Sequence, residues 1–204
     1  MDEELKDVSA KQEEEINTTP QQQEPEKTKK QVIIEETVSW IKTIAAALVM
    51  AWFITNFLIV NAQVPSGSME NTVMTGDRLV ANRLSYTLSD PERFDIVVFK
   101  YPDDESKLYI KRIIGMPGDK VEIRDNEVYI NDSTEPLEDS FIKEPMNTLD
   151  AVYYVPEGHY FMLGDNRNNS SDSRFWKNTY VAEDKILGKA VFKYFPSLEI
   201  LTDK

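Results

Sequence analysis

The sequence predicts a mainly β protein, an antiparallel β-sheet domain anchored by one N-terminal transmembrane helix. Two observations predict it. A single apolar run in the first third of the chain is long enough to cross a bilayer, and six short alternating or apolar runs follow it, each bounded by Gly, Pro, Asn or Asp. No internal repeat is visible.

Residues 1–36 are Glu, Gln, Lys and Pro with few large apolar side chains, so they cannot bury enough surface to offset chain entropy. They read as a disordered acidic tail. Ile44 to Val60 then passes seventeen residues without a charge. As a helix at ~1.5 Å per residue this spans roughly 26 Å, and one more turn matches the ~30 Å hydrocarbon layer, which places the transmembrane helix at 37–61. Lys42 can snorkel, and Trp40 sits where an interfacial ring would. Lys27, Lys29, Lys30 and Lys42 precede the run and the first charge after it is Glu70, so the tail belongs in the cytoplasm and residues 62–204 outside. A cleaved signal peptide is the rival, suggested by Val60-X-Ala62, but its leading region would be long and mostly acidic.

Beyond the membrane, "RLVANRL", "FDIVVFKY", "LYIKRIIG", "KVEIRDNEVYIN", "HYFMLG" and "KAVFKYF" read as strands. Asp125-Asn126 marks a tight hairpin, and Pro117-Gly118 a type II turn. Residues 132–150 are acidic and aperiodic, an excursion between strands.

Composition excludes several chemistries. Lys+Arg 23 against Asp+Glu 36 gives a net charge of −13, which repels phosphate backbones and argues against nucleic acid as a partner. Cys is absent and His occurs once, so a cysteine nucleophile, a disulfide framework and a Cys/His zinc site are all excluded. His159, the one residue that could serve a Ser-His-Asp triad, opens an apolar strand and reads as structural.

"QVPSGSMENT" places Ser66 and Ser68 around Gly67 just after the apolar run. A serine attacks only when a neighbour takes its proton, and here that base must be Lys, Asp or Glu. In "YIKRIIG" strand alternation puts Lys111 on one face with Tyr109 and Ile113, and Arg112 with Ile110 on the other. Such a face desolvates an amine. Bringing a lysine from its ordinary ~10.4 to the ~7–8 useful for a general base takes roughly 3–5 kcal/mol. Alternation by itself fits a snorkelling surface lysine equally well.

Order adds specificity. "PSGSM" at 65–69, "GDRLVANR" at 76–83, "YIKRIIGMPGD" at 109–119 and "GDNRNNSSDSR" at 164–174 follow a single apolar run. Together they resemble the bacterial type I signal peptidases, in the shorter single-span form common in Gram-positive bacteria. The resemblance implies a membrane-bound Ser-Lys endopeptidase that removes signal peptides from exported preproteins after Ala-X-Ala, with no metal or organic cofactor. Its expected partners are preproteins and the lipid bilayer, with the protein-export channel a candidate neighbour. By motif position Ser68 is the nucleophile and Lys111 the base. Ser66 joins the Ser68 N–H in an oxyanion hole, and Ser170 orients the lysine. Val64, Met69, Val73, Tyr109 and Ile110 line the pocket for small side chains, while Asp165 pairs with Arg112 and Asp172 with Arg174. Two positions depart from the family pattern: Asn71 stands where Pro is frequent, and Asn168 where Asp is. The remaining alternatives are a self-cleaving repressor, which needs a DNA-binding domain where this sequence has an acidic tail and a membrane span, and an anchored β domain that binds exported chains without cutting them.

Overall fold

The computed structural model describes residues 28–142 and 144–201, so most of the expected tail lies outside the described residues. The chain divides into two units, one up to Leu48 and one from Val49 onward.

The N-terminal helix, α1, runs Lys29–Phe53 and continues as a π-helical turn over Ile54–Leu58. The 30 residues from Lys29 to Leu58 are long and apolar enough to cross a membrane. Both ends differ from the sequence expectation. At the start, Gln31 Oε1 accepts from the Thr28 N–H at 3.0 Å, the return arm of a capping box, and this begins the helix before residue 37. At the end, β-branched Ile59 and Val60 leave the helix for strand β1 (Ile59–Gln63), so the apolar run does not stay helical to residue 61.

After β1 come β2 (Arg78–Asn82), the short α2 (Ser85–Leu88), β3 (Ile96–Tyr101), β4 (Asp104–Gly115), β5 (Lys120–Arg124), β6 (Glu127–Ile130), β7 (Ala151–Tyr154), β8 (His159–Leu163), β9 (Val181–Ala182), β10 (Ile186–Phe195) and β11 (Glu199–Ile200). All six predicted strand runs are present. The large sheet has the order β1-β2-β10-β3-β4-β8-β9, with β11 on β10, and a three-stranded sheet has the order β6-β5-β7. Every recorded pairing is antiparallel. Asp125 and Asn126 both take positive φ, 52° and 65°, as a type I′ hairpin between β5 and β6 requires.

Strand β4 positions the site. Half-burial is what alternation predicts, yet Ile110 to Gly115 are buried without a break. Ile110 packs with Val98 and Met69, Ile113 with Val97 and Phe99, and Ile114 with Val121 and Phe161. Apolar layers therefore cover both faces of the segment carrying Lys111.

Candidate active site

Ser68 lies in a single 3₁₀ turn, Gly67–Met69, entered from Ser66 in extended conformation. Thr72 N–H returns to Met69 O at 3.1 Å and closes a type II turn, with Glu70 at φ −57°, ψ 142° and Asn71 at φ 96°. Proline, fixed near φ −65°, cannot occupy that third position, whereas Asn tolerates it. The departure at Asn71 thus has a backbone reason.

The Ser68 hydroxyl meets Lys111, with Nζ 2.6 Å from Oγ and 3.1 Å from the Ile110 carbonyl oxygen. Lys111 is 3% exposed and, among the described residues, has no ion-pair partner. Burial pushes its ammonium down to about 8, against the opposing pull of the Asp172 and Asp165 charges. Ser66 Oγ lies 3.5 Å from Ser68 Oγ, on the same side of the turn.

These groups line a cavity of about 430 Å³, together with the segment from Asn61 to Pro65 and the stretch Leu108 to Ile110. Val64, Met69, Tyr109 and Ile110 line it, four of the five residues expected to do so. Val73 does not. It is fully buried in the core with Met69 and Leu79, because the type II turn directs the chain inward after Asn71.

The second correction concerns Ser170. Its hydroxyl is buried and has no hydrogen-bond partner among the described residues, so no bond joins it to Lys111. The side chain is packed against Gly164, and the loop residue that reaches the cavity is Ser171. His159 stays apart from the cavity, at the start of β8, with Nδ1 2.9 Å from the Glu157 carbonyl oxygen.

Both expected ion pairs are formed. Arg112 holds Asp165 through Nε at 2.8 Å and Nη2 at 2.7 Å, with the two side chains almost wholly buried. Arg174 holds Asp172 in the same two-pronged way, at 2.8 Å on each arm. Thr72 Oγ1 donates to Asp165 Oδ2 at 2.5 Å, which ties the nucleophile turn to the pair.

Sequence reasoning missed two further residues. A Cβ on Gly164 would collide with the Ser68 carbonyl oxygen and the Ser170 hydroxyl. Asn166 grips the same turn, its N–H donating to Ser68 O at 3.1 Å and its Nδ2 to Gly67 O at 3.0 Å. Their place inside "GDNRNNSSDSR" was the available signal.

Comparison with known proteins joins this geometry to a family. Residues 37–195 match the family model described as signal peptidase, peptidase S26. The chain belongs to the signal peptidase family. It is 40% identical over 170 residues to probable signal peptidase I-2 of Synechocystis sp., an alignment that covers 79% of this chain and 76% of the relative. Signal peptidase IB of Staphylococcus aureus is 32% identical over 181 residues, covering 81% and 93%. The crystal structure of a signal peptidase I from Enterococcus faecalis shares 34% identity and covers 50% of this chain and 97% of that one, with a TM-score of 0.42. Membership makes the chain a peptidase of the type I signal peptidase kind, and its long apolar N-terminal helix fits a membrane-anchored enzyme.

Proposed function

We propose that this signal peptidase is a serine endopeptidase in which Ser68 attacks and Lys111 is the general base, cutting exported preproteins after Ala-X-Ala. The observation that carries the reading is the 2.6 Å contact between Lys111 Nζ and Ser68 Oγ, both of which line a largely apolar cavity. Neutral Lys111 takes the Oγ proton as Oγ bonds to the scissile carbonyl carbon. The Ser68 N–H, at the open N-terminal end of its turn, and the Ser66 hydroxyl receive the developing oxyanion. Lys111 then gives its proton to the departing amine. In the second half it takes a proton from water as the hydroxide adds to the acyl carbon, and it returns that proton to Ser68 Oγ as the ester C–O bond breaks and the acyl group leaves as a carboxylic acid.

The Ala-X-Ala preference follows from strand geometry. β1 is an edge strand, and Leu108 to Ile110 pair with β3 on one side while β8 begins its pairing only at Arg112. The cavity between these two open edges fits an extended peptide added as a strand. Successive side chains of a strand alternate, so the residues one and three before the cut face the same wall. Val64, Met69 and Ile110 give that wall an apolar lining, which suits small apolar side chains such as Ala. Val60-X-Ala62 in the chain itself is not presented this way, since it lies in β1, paired with β2 and with both side chains buried. The lysine distribution supports a cytoplasmic N-terminus with residues 62–204 on the outer face of the cell membrane, beside the lipid, with the export channel a candidate neighbour.

The test is mass-spectrometric mapping of products from detergent-solubilised enzyme and an Ala-X-Ala preprotein, run beside Lys111→Ala. A single cut after the second Ala, lost in the variant, is expected. Equal cutting by both would break the dyad, and no cutting by either would leave a binding domain.

A further inference from the structure

The aperiodic excursion between β6 and β7 does more than connect strands. A long segment without secondary structure inside a compact domain usually has a function or its own packing logic. Here its middle touches each of the three elements that carry the site, while none of its residues lines the cavity.

Phe141 makes the central contacts. Its carbonyl oxygen accepts from Asn71 Nδ2 at 2.5 Å, and Asn71 belongs to the same type II turn that follows Ser68. Its ring lies 4.0 Å from the Arg112 guanidinium, one residue along β4 from Lys111. A flat ring over the guanidinium keeps water from the buried Arg112–Asp165 pair and adds cation–π attraction. Arg112 also donates to the Phe94 carbonyl oxygen at 2.8 Å, and the Phe94 ring stands 5.7 Å from Phe141.

Two more contacts reach the loop 164–174. Asp139 pairs with Nη1 of the buried Arg167 at 2.9 Å, and the Arg167 carbonyl oxygen in turn accepts from Arg174 Nη2 at 2.6 Å. Asn168 fastens the far end, donating Nδ2 to Glu144 Oε1 and to Pro145 O at 3.1 Å each and accepting the Asn147 N–H at 2.7 Å. Asn71 and Asn168 are the two positions at which this chain departs from the family pattern, and both spend their amides on this one segment.

We propose that residues 139–142 and 144–147 form a brace, with Phe141 as its positioning residue and Asn71 and Asn168 as its clasps, that fixes the Ser68 turn and the 164–174 loop against the strand carrying Lys111. The brace acts on the spacing between nucleophile and base and touches no substrate. It therefore governs the chemical step, whereas a segment that merely covers core, as Met146 does, would change stability alone.

The experiment rests on the Ser-Lys reading and uses the full chain in detergent with an Ala-X-Ala preprotein. It measures kcat, KM and the thermal midpoint for wild type, Phe141→Ala, Phe141→Tyr, and the double variant Asn71→Gly with Asn168→Ala. Glycine accepts φ 96° without strain, so Asn71→Gly removes the clasp and keeps the turn. Phe141→Ala should lower kcat by about ten- to a hundredfold, the scale set by ~1 Å of misplacement, with KM within about twofold of wild type. Phe141→Tyr should keep most of the wild-type rate, and the double variant should lower kcat at least about threefold with KM within about twofold of wild type. Wild-type kcat in the double variant overturns the brace, even if Phe141→Ala fails to fold, and so does a loss confined to KM. A wild type that cuts nothing refutes the dyad reading instead and removes the brace with it.

Discussion

Replacing Lys111 by Met should make the protein more stable at neutral pH while abolishing its activity. The wild-type amine is held at about 8 instead of the ordinary 10.5, and at ~1.36 kcal/mol per pH unit this is a destabilisation of roughly 3 kcal/mol wherever both folded and unfolded lysines are protonated. Met fills nearly the same volume without a charge. Against that gain stand two lost hydrogen bonds, to Ser68 Oγ and Ile110 O, worth about 1 kcal/mol each. The net gain at pH 7 is then about 1–2 kcal/mol, or roughly 2–8 °C in thermal midpoint for a chain of this size.

The sign of the pH dependence is fixed by which state binds the proton. Between pH 8 and 10.5 the unfolded lysine is still protonated and the folded one is not, so wild-type stability rises with pH across that window. The advantage of Lys111→Met is accordingly full below about pH 8, shrinks above it and is gone by about 10.5, where the lost hydrogen bonds leave the variant weaker. Thermal midpoints of both proteins from pH 6 to 11, followed by circular dichroism in one detergent, give the difference curve. Other titrating groups are common to both proteins and cancel. A difference that stays flat with pH, or a wild type more stable throughout, refutes the claim that burial holds this lysine near neutrality.

The rate should follow the same group. kcat/KM for wild type is expected to rise about tenfold per pH unit up to about 8 and then level, as a base that works only unprotonated requires, and a profile flat from pH 6 to 9 would exclude Lys111 as that base. Gly164→Ala should cut kcat on the order of 10²-fold, because its Cβ displaces the Ser68 carbonyl, and Gly164→Ala with Ser170→Ala should not recover the rate, since the Ser68 clash remains. Asp165→Asn removes the carboxylate charge that both arms of the buried Arg112 hold and should cost about 3–5 kcal/mol in urea unfolding, most of it regained when Arg112→Met is added.

How far the sequence reveals this molecule depends on the range of the signal. The strands were legible because alternation and turn residues are local, and Asp125-Asn126 takes the two positive φ values its hairpin demands. β1 was not, since Ile59 and Val60 simply prolong an apolar run and hydrophobicity does not distinguish the end of a membrane helix from a buried edge strand. The true helix start did have a local mark in Thr28-X-X-Gln31. At the site, Ser68 and Lys111 stand 43 residues apart and Arg112 and Asp165 stand 53 apart, so only motif order could join them. The contacts of Phe141 left no trace because they run through a backbone carbonyl and a ring on a guanidinium, neither of which imposes a period.

The two buried ion pairs also bear on the chemistry. A desolvated lysine favours its neutral form only if no free carboxylate stabilises the ammonium, and Asp165 and Asp172 are the two acids whose charges act on Lys111. Each is held by both arms of a buried arginine, which offsets its charge. Arg112 can do this from the residue next to the base because strand alternation sends it to the opposite face. The pairs that hold the 164–174 loop against β4 thus also leave the proton on Lys111 weakly bound, and one arrangement of charges provides both the geometry and the basicity that Ser68 requires.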